Sequence, residues 1–452
     1  MRTRSRLALL LTALTGLLVS SCGQVGPPEK TGELVVALVA SPTTYQVDEG
    51  GVSGFEYDVV NAFAESQGLR VRYVLTKDRE ETIDLVKRGK AHFAAGISID
   101  DQTDLIYTPP LRRAEPVLVK NADDLSTEDG DLDGKEVTVS AGSQQSSLLR
   151  KMAGEAKRFM VTELSGIPEL TLLEQLAERH HVLVATDSLL YALAARSHPE
   201  LEVAEKLPGK LDFAWAFAKD ATALADKARD FITGLRRDGG LARVQDRYFG
   251  YISRINTQGI SDFIEALNTD LTHLRKLFQD AQEITGIDWR LLAALSYQES
   301  KWDPLATSPT GVRGLMMLTE DTADRLRVNN RLDPKQSILA GAKYLADLRD
   351  TLPDTTLEPD RTWLALAAYN LGMGHLNGGR AIAQGLGKDA DSWYEMKTVL
   401  PLMAQPKYYA RLKSGRARGG EAVIMVENIR TYYDILKRFE APWIPPLKFK
   451  QR

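Results

Sequence analysis

The sequence predicts two folded domains: an α/β domain built on a mostly parallel sheet, then a mainly α-helical one. Three observations carry this. The chain has 452 residues, more than one core of ordinary size holds. From Leu34 onward, short apolar runs alternate with amphipathic stretches in βαβαβ order. Beyond Gly259 the alternation stops, and the chain reads as helix almost to its end. The boundary falls near Arg254 to Gly259. The chain is 43% hydrophobic and 26% charged with a formal net charge of -4, so it has the balance of a globular protein and lacks the basic surplus of a nucleic-acid binder.

The chain opens with "MRTRSRLALLLTALTGLLVSSCGQ". Arg2, Arg4 and Arg6 precede an apolar run, Leu7 to Val19, too short for a comfortable membrane span. Cys22 is the only cysteine, which excludes an intramolecular disulfide. Val19-Ser20-Ser21-Cys22 resembles a bacterial lipobox. That implies a signal peptide over residues 1–22, lipidation of Cys22 and a lipid anchor in the membrane. Gly23 after the cysteine resembles the signal for the outer membrane, periplasmic face. An ordinary signal peptide or a short anchor is the plainer alternative. "GQVGPPEK", residues 23–30, reads as a flexible tether.

The first domain spans residues 31–253. Leu34 to Val39 form a nearly continuous apolar run, as in a strand buried on both faces. "GFEYDVVNAFAESQGL" places Phe55, Val59, Val60 and Phe63 at helical spacing, with Gly68 as the stop. "RVRYVLT" predicts a strand, "REETIDLVKRGK" a helix and "AHFAAGIS" a strand. "KEVTVSAGSQQSSLLRKM" and "HVLVATDSLLYALA" each predict a further strand and helix. With the closing "DGGLARVQDRYFG", this order resembles the periplasmic solute-binding proteins of family 3, which implies two lobes and a ligand between them. The resemblance implies Tyr45 as a wall of that site, Ser98 and Ser143 as polar contacts, and Asp187 for a ligand ammonium. Read from the residues alone, Asp187 is equally a helix N-cap, Ser98 and Ser143 are loop residues, and Tyr45 is a packing residue. Members that bind amino acids carry a carboxylate-binding arginine soon after the third strand. Here that stretch reads "SIDDQTDLIYTPPLRRAEP", with Asp101, Gln102 or Thr103 at the position and Arg112 and Arg113 only later.

The second domain spans residues 262–440, followed by a tail, 441–452. In "GIDWRLLAALSYQES", Asp288 stands at a good N-cap position, and Leu292, Leu295 and Glu299 share one helix face. A carboxyl buried there has its pKa raised, which suits protonation of a glycosidic oxygen; a solvated or salt-bridged helix-end glutamate is the alternative. "ES" followed by "KWDPLATSPTGVRGLMMLT", then "QSILAGAKYLADL" and "TWLALAAYNLG", resembles the soluble-lytic-transglycosylase domain. The resemblance implies a lysozyme-like helical fold and Glu299 as the sole catalytic acid. It implies Ser308, Tyr369 and Asn370 as supports of that acid, with Tyr369 near enough to bond Glu299 or a substrate N-acetyl group. Gly314, Met316, Met317 and Tyr344 are expected on the substrate side. Many members read Gly-Leu-Met-Gln where this chain reads Gly314-Leu315-Met316-Met317, so a sugar contact by a glutamine amide is absent. Asp303 before Pro304 reads as a helix stop.

Together the two domains resemble the membrane-bound lytic murein transglycosylases. The expected substrate is the peptidoglycan glycan strand, cleaved between N-acetylmuramic acid and N-acetylglucosamine with a 1,6-anhydromuramoyl end. The first domain would sense an amino acid or a muropeptide. No residue cluster has metal-ligand spacing, and neither a metal nor a cofactor is expected. Two other readings are a solute-binding receptor anchored to murein by its second domain, and a lysozyme-type hydrolase.

Overall fold

The computed structural model describes residues 24–445, apart from 49–50, 101–103, 125, 127–132, 157–158 and 252–254. Cys22 and the expected signal peptide lie outside the described residues.

The first domain has two lobes, each built on one sheet. In the first lobe the strands lie in the order Arg70–Thr76, Glu33–Val39, Phe93–Ser98, Leu211–Ala218, Leu105–Tyr107, with Arg112–Ala114 also pairing with Leu211–Ala218. In the second the order is Phe159–Leu164, Lys135–Ser140, Leu183–Asp187, Pro116–Asn121, Leu201–Lys206. Neither sheet is mostly parallel, as the alternation had predicted. The βαβ strands pair in parallel, but Leu211–Ala218, Pro116–Asn121 and Leu201–Lys206 run antiparallel to their neighbours. The chain crosses between lobes twice, and a strand near a crossing enters its sheet in the opposite sense.

Glu33–Val39 explains why its sequence is apolar throughout. Leu34, Val36 and Leu38 face the core under the helices Phe55–Ser66 and Thr222–Arg237. Val35 and Ala37 face the other core, beside Ile83 and Val86 of the helix Arg79–Lys87. Successive side chains alternate faces, and both faces are covered. Residues 24–30 are docked rather than a free tether. Pro28–Thr31 is a short helix, Val25 donates its N–H to the Gly89 carbonyl (2.7 Å), and Glu29 pairs with Lys227 (2.8 Å).

The second domain is helical, around one core. Asn256 caps the helix Thr257–Asn268 by accepting from the Gly259 N–H (2.9 Å), and Ile260 and Phe263 enter the helical core. That domain therefore begins a few residues before 262. Its central helix, Trp289–Ser300, is buried from Trp289 through Tyr297, between Asp270–Thr285 and the C-terminal helix Gly419–Phe439. Residues 441–445 are not a loose tail. The Trp289 indole donates to the Ala441 carbonyl (3.3 Å), and the Gln282 amide donates to the Trp443 carbonyl (3.0 Å).

Buried charges on the C-terminal helix join the domains. Asp434 accepts from Arg196 of the second lobe (3.1 Å) and from the Tyr251 hydroxyl at the end of the first domain. Glu427 accepts from Arg430 (2.9 Å) and the Trp393 indole (2.6 Å) and lies 3.5 Å from Lys397. Lys397 and Arg430 in turn reach Asp246 and the Arg247 carbonyl of the first domain. Removing one member of such a cluster leaves the others as buried, uncompensated charge. Glu427→Ala is therefore expected to destabilise the chain by about 3–5 kcal/mol in urea or thermal unfolding. A loss below about 1 kcal/mol, the range of an exposed pair, would refute this account.

Candidate active site and ligand cleft

The helix Trp289–Ser300 starts at Asp288, whose carboxylate accepts from the Arg290 N–H (2.8 Å), as its sequence position predicts. It stops abruptly. Lys301 caps it in a left-handed conformation (φ 54°), and Trp302 is left-handed too (φ 61°). Two such non-glycine residues in succession are strained. The surroundings hold them: the Trp302 indole donates to the Ala293 carbonyl (2.9 Å), and its ring packs on Phe263 in the core. This ending leaves Glu299 on the last turn, half-buried, one turn beyond the fully buried Leu295.

The loop after this helix is clamped at two residues. The Leu315 carbonyl accepts from the hydroxyls of Ser296 (3.0 Å) and Ser300 (2.9 Å), which lie one turn apart and bracket Glu299. The Met316 N–H donates to Ser337 (3.2 Å), and the Met316 carbonyl accepts from the Tyr369 hydroxyl (2.8 Å). Three helices thus fix the backbone beside the acid. Gly314 makes the turn possible: its φ is 80°, and a Cβ there would sit 1.9 Å from the Arg331 carbonyl oxygen.

Glu299 is half-buried and has no side-chain hydrogen bond or ion pair among the described residues. Loss of water alone pushes its carboxyl up to about 7. No second carboxylate and no cation contributes to that shift. Asp303, the next acid in sequence, is exposed and accepts from the Leu305 N–H (2.8 Å). Tyr369 lies close enough that Glu299 adds to the burial that holds its hydroxyl protonated. Its ring packs on Tyr344 at 5.2 Å.

Several expected roles change. Tyr369 bonds the Met316 carbonyl rather than Glu299, so it acts through the loop. Ser308 does not touch the acid; its hydroxyl pairs with Thr310 (2.9 Å) and accepts the Val312 N–H (3.3 Å) to fix a turn. Asn370 is exposed at the end of its helix, and its side chain makes no hydrogen bond among the described residues. The Met316 side chain is fully buried against Gly341, so it is core and cannot meet a sugar. Met317 is half-buried with φ 45°, and Gly314 serves the turn. Tyr344 keeps a half-exposed ring, with Arg325 over it at 5.0 Å. Ser296, Ser300 and Ser337 were not anticipated. Serines one turn apart on an otherwise apolar helix were the available signal.

In the first domain, Ser98, Ser143 and Asp187 do come together in a cleft between the lobes, about 110 Å3 in volume. Tyr45 does not line it; its ring packs on Tyr57 (5.7 Å) and Tyr73 (5.1 Å). Ser143 caps a helix by accepting the Ser146 N–H (3.1 Å). One Asp187 oxygen caps the helix Ser188–Ala194 through the Leu189 and Leu190 N–H groups (2.9 and 3.0 Å), while the other lies 3.8 Å from Arg112. Asp187 is therefore the helix N-cap its position allowed, and it also lines the cleft. Arg79 and Glu169 also line the cleft, and nothing in their local sequence distinguished them from ordinary helix residues. Positions 101–103, where the arginine was expected, lie outside the described residues. Among the described residues no acid, histidine or cysteine cluster could hold a metal ion.

Comparison with known proteins accords with this architecture. Residues 34–251 match the bacterial extracellular solute-binding proteins, family 3, and residues 276–391 match the Transglycosylase SLT domain. A membrane-bound lytic murein transglycosylase F of Nitrosospira multiformis is 40% identical over 98% of this chain and 94% of its own length. One from Methylobacillus flagellatus is 37% identical over 97% of this chain and 95% of its own. Among solved structures, an amino acid ABC transporter substrate-binding protein of Streptococcus pneumoniae superposes with a TM-score of 0.44 and 22% identity, over 49% of this chain and 96% of that one. The whole-length identity and the order of both domains show that the chain belongs to the membrane-bound lytic murein transglycosylase F family.

Proposed function

We propose that this chain is a peptidoglycan lytic transglycosylase whose single catalytic acid is Glu299. The observation that carries the assignment is a desolvated carboxyl, pushed up to about 7, with no second carboxylate acting on it. Such a group holds a proton near neutral pH and releases it to a leaving oxygen. Glu299 protonates the glycosidic oxygen between N-acetylmuramic acid and N-acetylglucosamine, and the C1–O bond of the muramoyl sugar breaks. The carboxylate left behind takes the proton of that sugar's own C6 hydroxyl, and O6 closes on C1. The product is a 1,6-anhydromuramoyl end; no water is consumed, and Glu299 regains its proton. An intramolecular nucleophile needs no second carboxylate to activate water, which fits the lone acid. The clamped backbone at Leu315 and Met316, with Tyr369 behind it, forms the wall beside the acid.

The first domain is read as a sensor for an amino acid or a muropeptide, taken up between its lobes. The Cys22 lipobox supports anchoring by a lipid in the outer membrane, facing the periplasm. Among the described residues no helix is long and apolar enough to cross a membrane.

Mass spectrometry of digested peptidoglycan tests the assignment. Wild type is expected to yield anhydromuramoyl products, and Glu299→Gln to lose about 10²–10⁴-fold or more in rate. Reducing ends would instead indicate water attack and a hydrolase. An unaffected Glu299→Gln would remove Glu299 from the chemistry, and no product from wild type would favour the anchored receptor. The pH profile follows from the same shift. The first step needs the protonated acid, so kcat/KM should be level below pH 7 and fall about tenfold per unit well above it. Stability carries the same signature. The folded pKa lies above that of an ordinary glutamate, so the proton favours folding, and this contribution is lost as pH rises through about 7. Glu299→Gln should therefore raise the melting temperature more at pH 8 than at pH 5. Equal shifts at both pH values would contradict the raised pKa.

A further inference from the structure

Beyond the acid, the wall of the site continues through two rings to a cation. Glu299 lies close enough to Tyr369 to act on its hydroxyl, and the Tyr369 ring packs on Tyr344 at 5.2 Å. The short helix Glu320–Arg325 then brings Arg325 over the half-exposed Tyr344 ring, with the guanidinium carbon 5.0 Å from its centre. At this distance the ring attracts the cation and supports one face of the planar group. The edge of the guanidinium stays free. Arg325 is exposed and makes no hydrogen bond or ion pair among the described residues. Asp321, one turn back on the same helix, forms no ion pair with it, because the side chain is turned onto the ring. Asp324 is its neighbour in sequence, and adjacent residues of a helix do not face each other. Other arginines of this region are already spent. Arg331 donates to the Gly311 and Leu318 carbonyls (2.9 and 3.0 Å), and Arg349 is bonded to Glu358.

We infer that Arg325, seated on the Tyr344 ring, is a subsite for a carboxylate carried on the lactyl arm of a muramoyl residue of the strand. This rests on the reading of Glu299 as the acid of a peptidoglycan lytic transglycosylase, and it assigns a contact away from the bond that breaks. The chemistry of the substrate supports it. The sugar rings of the strand are uncharged. Its carboxylates hang from the lactyl arm of N-acetylmuramic acid: those of an attached peptide stem, or that of the arm itself once the peptide is gone. A guanidinium with one face on a ring and its edge open fits a carboxylate through two parallel N–H···O bonds. An uncharged strand offers that edge nothing stronger than water does.

The charge of the whole chain sharpens the point. Its formal net charge is -4, so an anionic strand is not drawn in by the molecule as a whole. Attraction has to come from local cations, and Arg325 is one whose donors no acid of the fold has taken. The contact lies outside the reacting atoms, so it holds ground state and transition state alike. Its loss is therefore expressed in KM and not in kcat.

Initial rates of the full chain in detergent on three soluble substrates test this. They are strands with peptide stems, the same strands with their carboxylates converted to amides, and strands stripped of peptide, which keep only the lactyl carboxylate. Wild type is expected to show about tenfold lower kcat/KM on the amidated strands, with the change in KM. Arg325→Gln should lose about the same factor on stem-bearing strands and nothing further when these are amidated. Arg325→Lys, which keeps the charge but not the planar fork, should retain part of the effect. The stripped strands name the source within the proposal: wild-type kcat/KM as high as on stem-bearing strands assigns the lactyl carboxylate, and about tenfold lower assigns the peptide. If amidation costs Arg325→Gln as much as it costs wild type, carboxylates are read elsewhere and the assignment of Arg325 is overturned. Equal kcat/KM of wild type on amidated and unmodified strands overturns it too, without any variant. In both of these cases anhydromuramoyl ends still form, and the reading of Glu299 stands. If wild type releases no anhydromuramoyl end from any of the three substrates, that reading and the subsite fall together.

Discussion

The second domain keeps water from one carboxyl, that of Glu299. Desolvation is the only cause of the Glu299 shift, so it depends on the position of every group that walls the acid. A hydrogen bond or a cation at that point would favour the ionised form and cancel the effect. The polar groups nearby are instead spent on one another. Ser296 and Ser300 both donate to the Leu315 carbonyl, Ser337 accepts from Met316, and Tyr369 donates to the Met316 carbonyl. The wall is held by hydrogen bonds that do not involve the acid it shields.

This arrangement explains why the neighbouring backbone is unusual. A helix continuing past Ser300 would carry the chain away from the loop, and an ordinary loop would leave the carboxyl solvated. The left-handed pair Lys301 and Trp302 reverses the chain within two residues, and Trp302 is locked by its indole bond and by core packing. Gly314 then brings the loop against Arg331 at a distance no side chain would permit. The strain is localised beside the acid and held by a core that is otherwise regular.

The same logic of satisfied and unsatisfied polar groups separates the rest of the molecule into structure and site. On the C-terminal helix, Glu427 and Asp434 are ringed by donors from both domains, and their carboxyls are held below the ordinary range. Those groups join domains. In the interlobe cleft, Arg112 has donors to spare and Glu56 has an oxygen without a partner. Buried polar atoms in a folded protein are nearly always paired, and the unpaired nitrogens of Arg112 lie where the two lobes face each other.

Local pattern determined much of this protein. The alternating apolar runs fixed the strands and helices of the first domain, because burial on both faces leaves only apolar residues along a strand such as Glu33–Val39. The N-cap at Asp288 and the face shared by Leu292, Leu295 and Glu299 placed the acid on its helix. The motif series around it carried the family. Pairing direction was not legible, since a strand's sequence records which faces are buried and not which neighbour it meets. Nor was the use of a polar side chain: Ser308, Asn370 and Tyr45 stand where a site was expected, yet they serve a turn, a helix end and an aromatic cluster. Arg79 and Glu169 carry no local mark, yet both line the interlobe cleft. Periodicity is a property of one segment, and a hydrogen bond across a domain belongs to two segments brought together only by the tertiary fold. The sequence by itself therefore determined the elements and the family, while the tertiary structure decided which polar groups are spent on the fold.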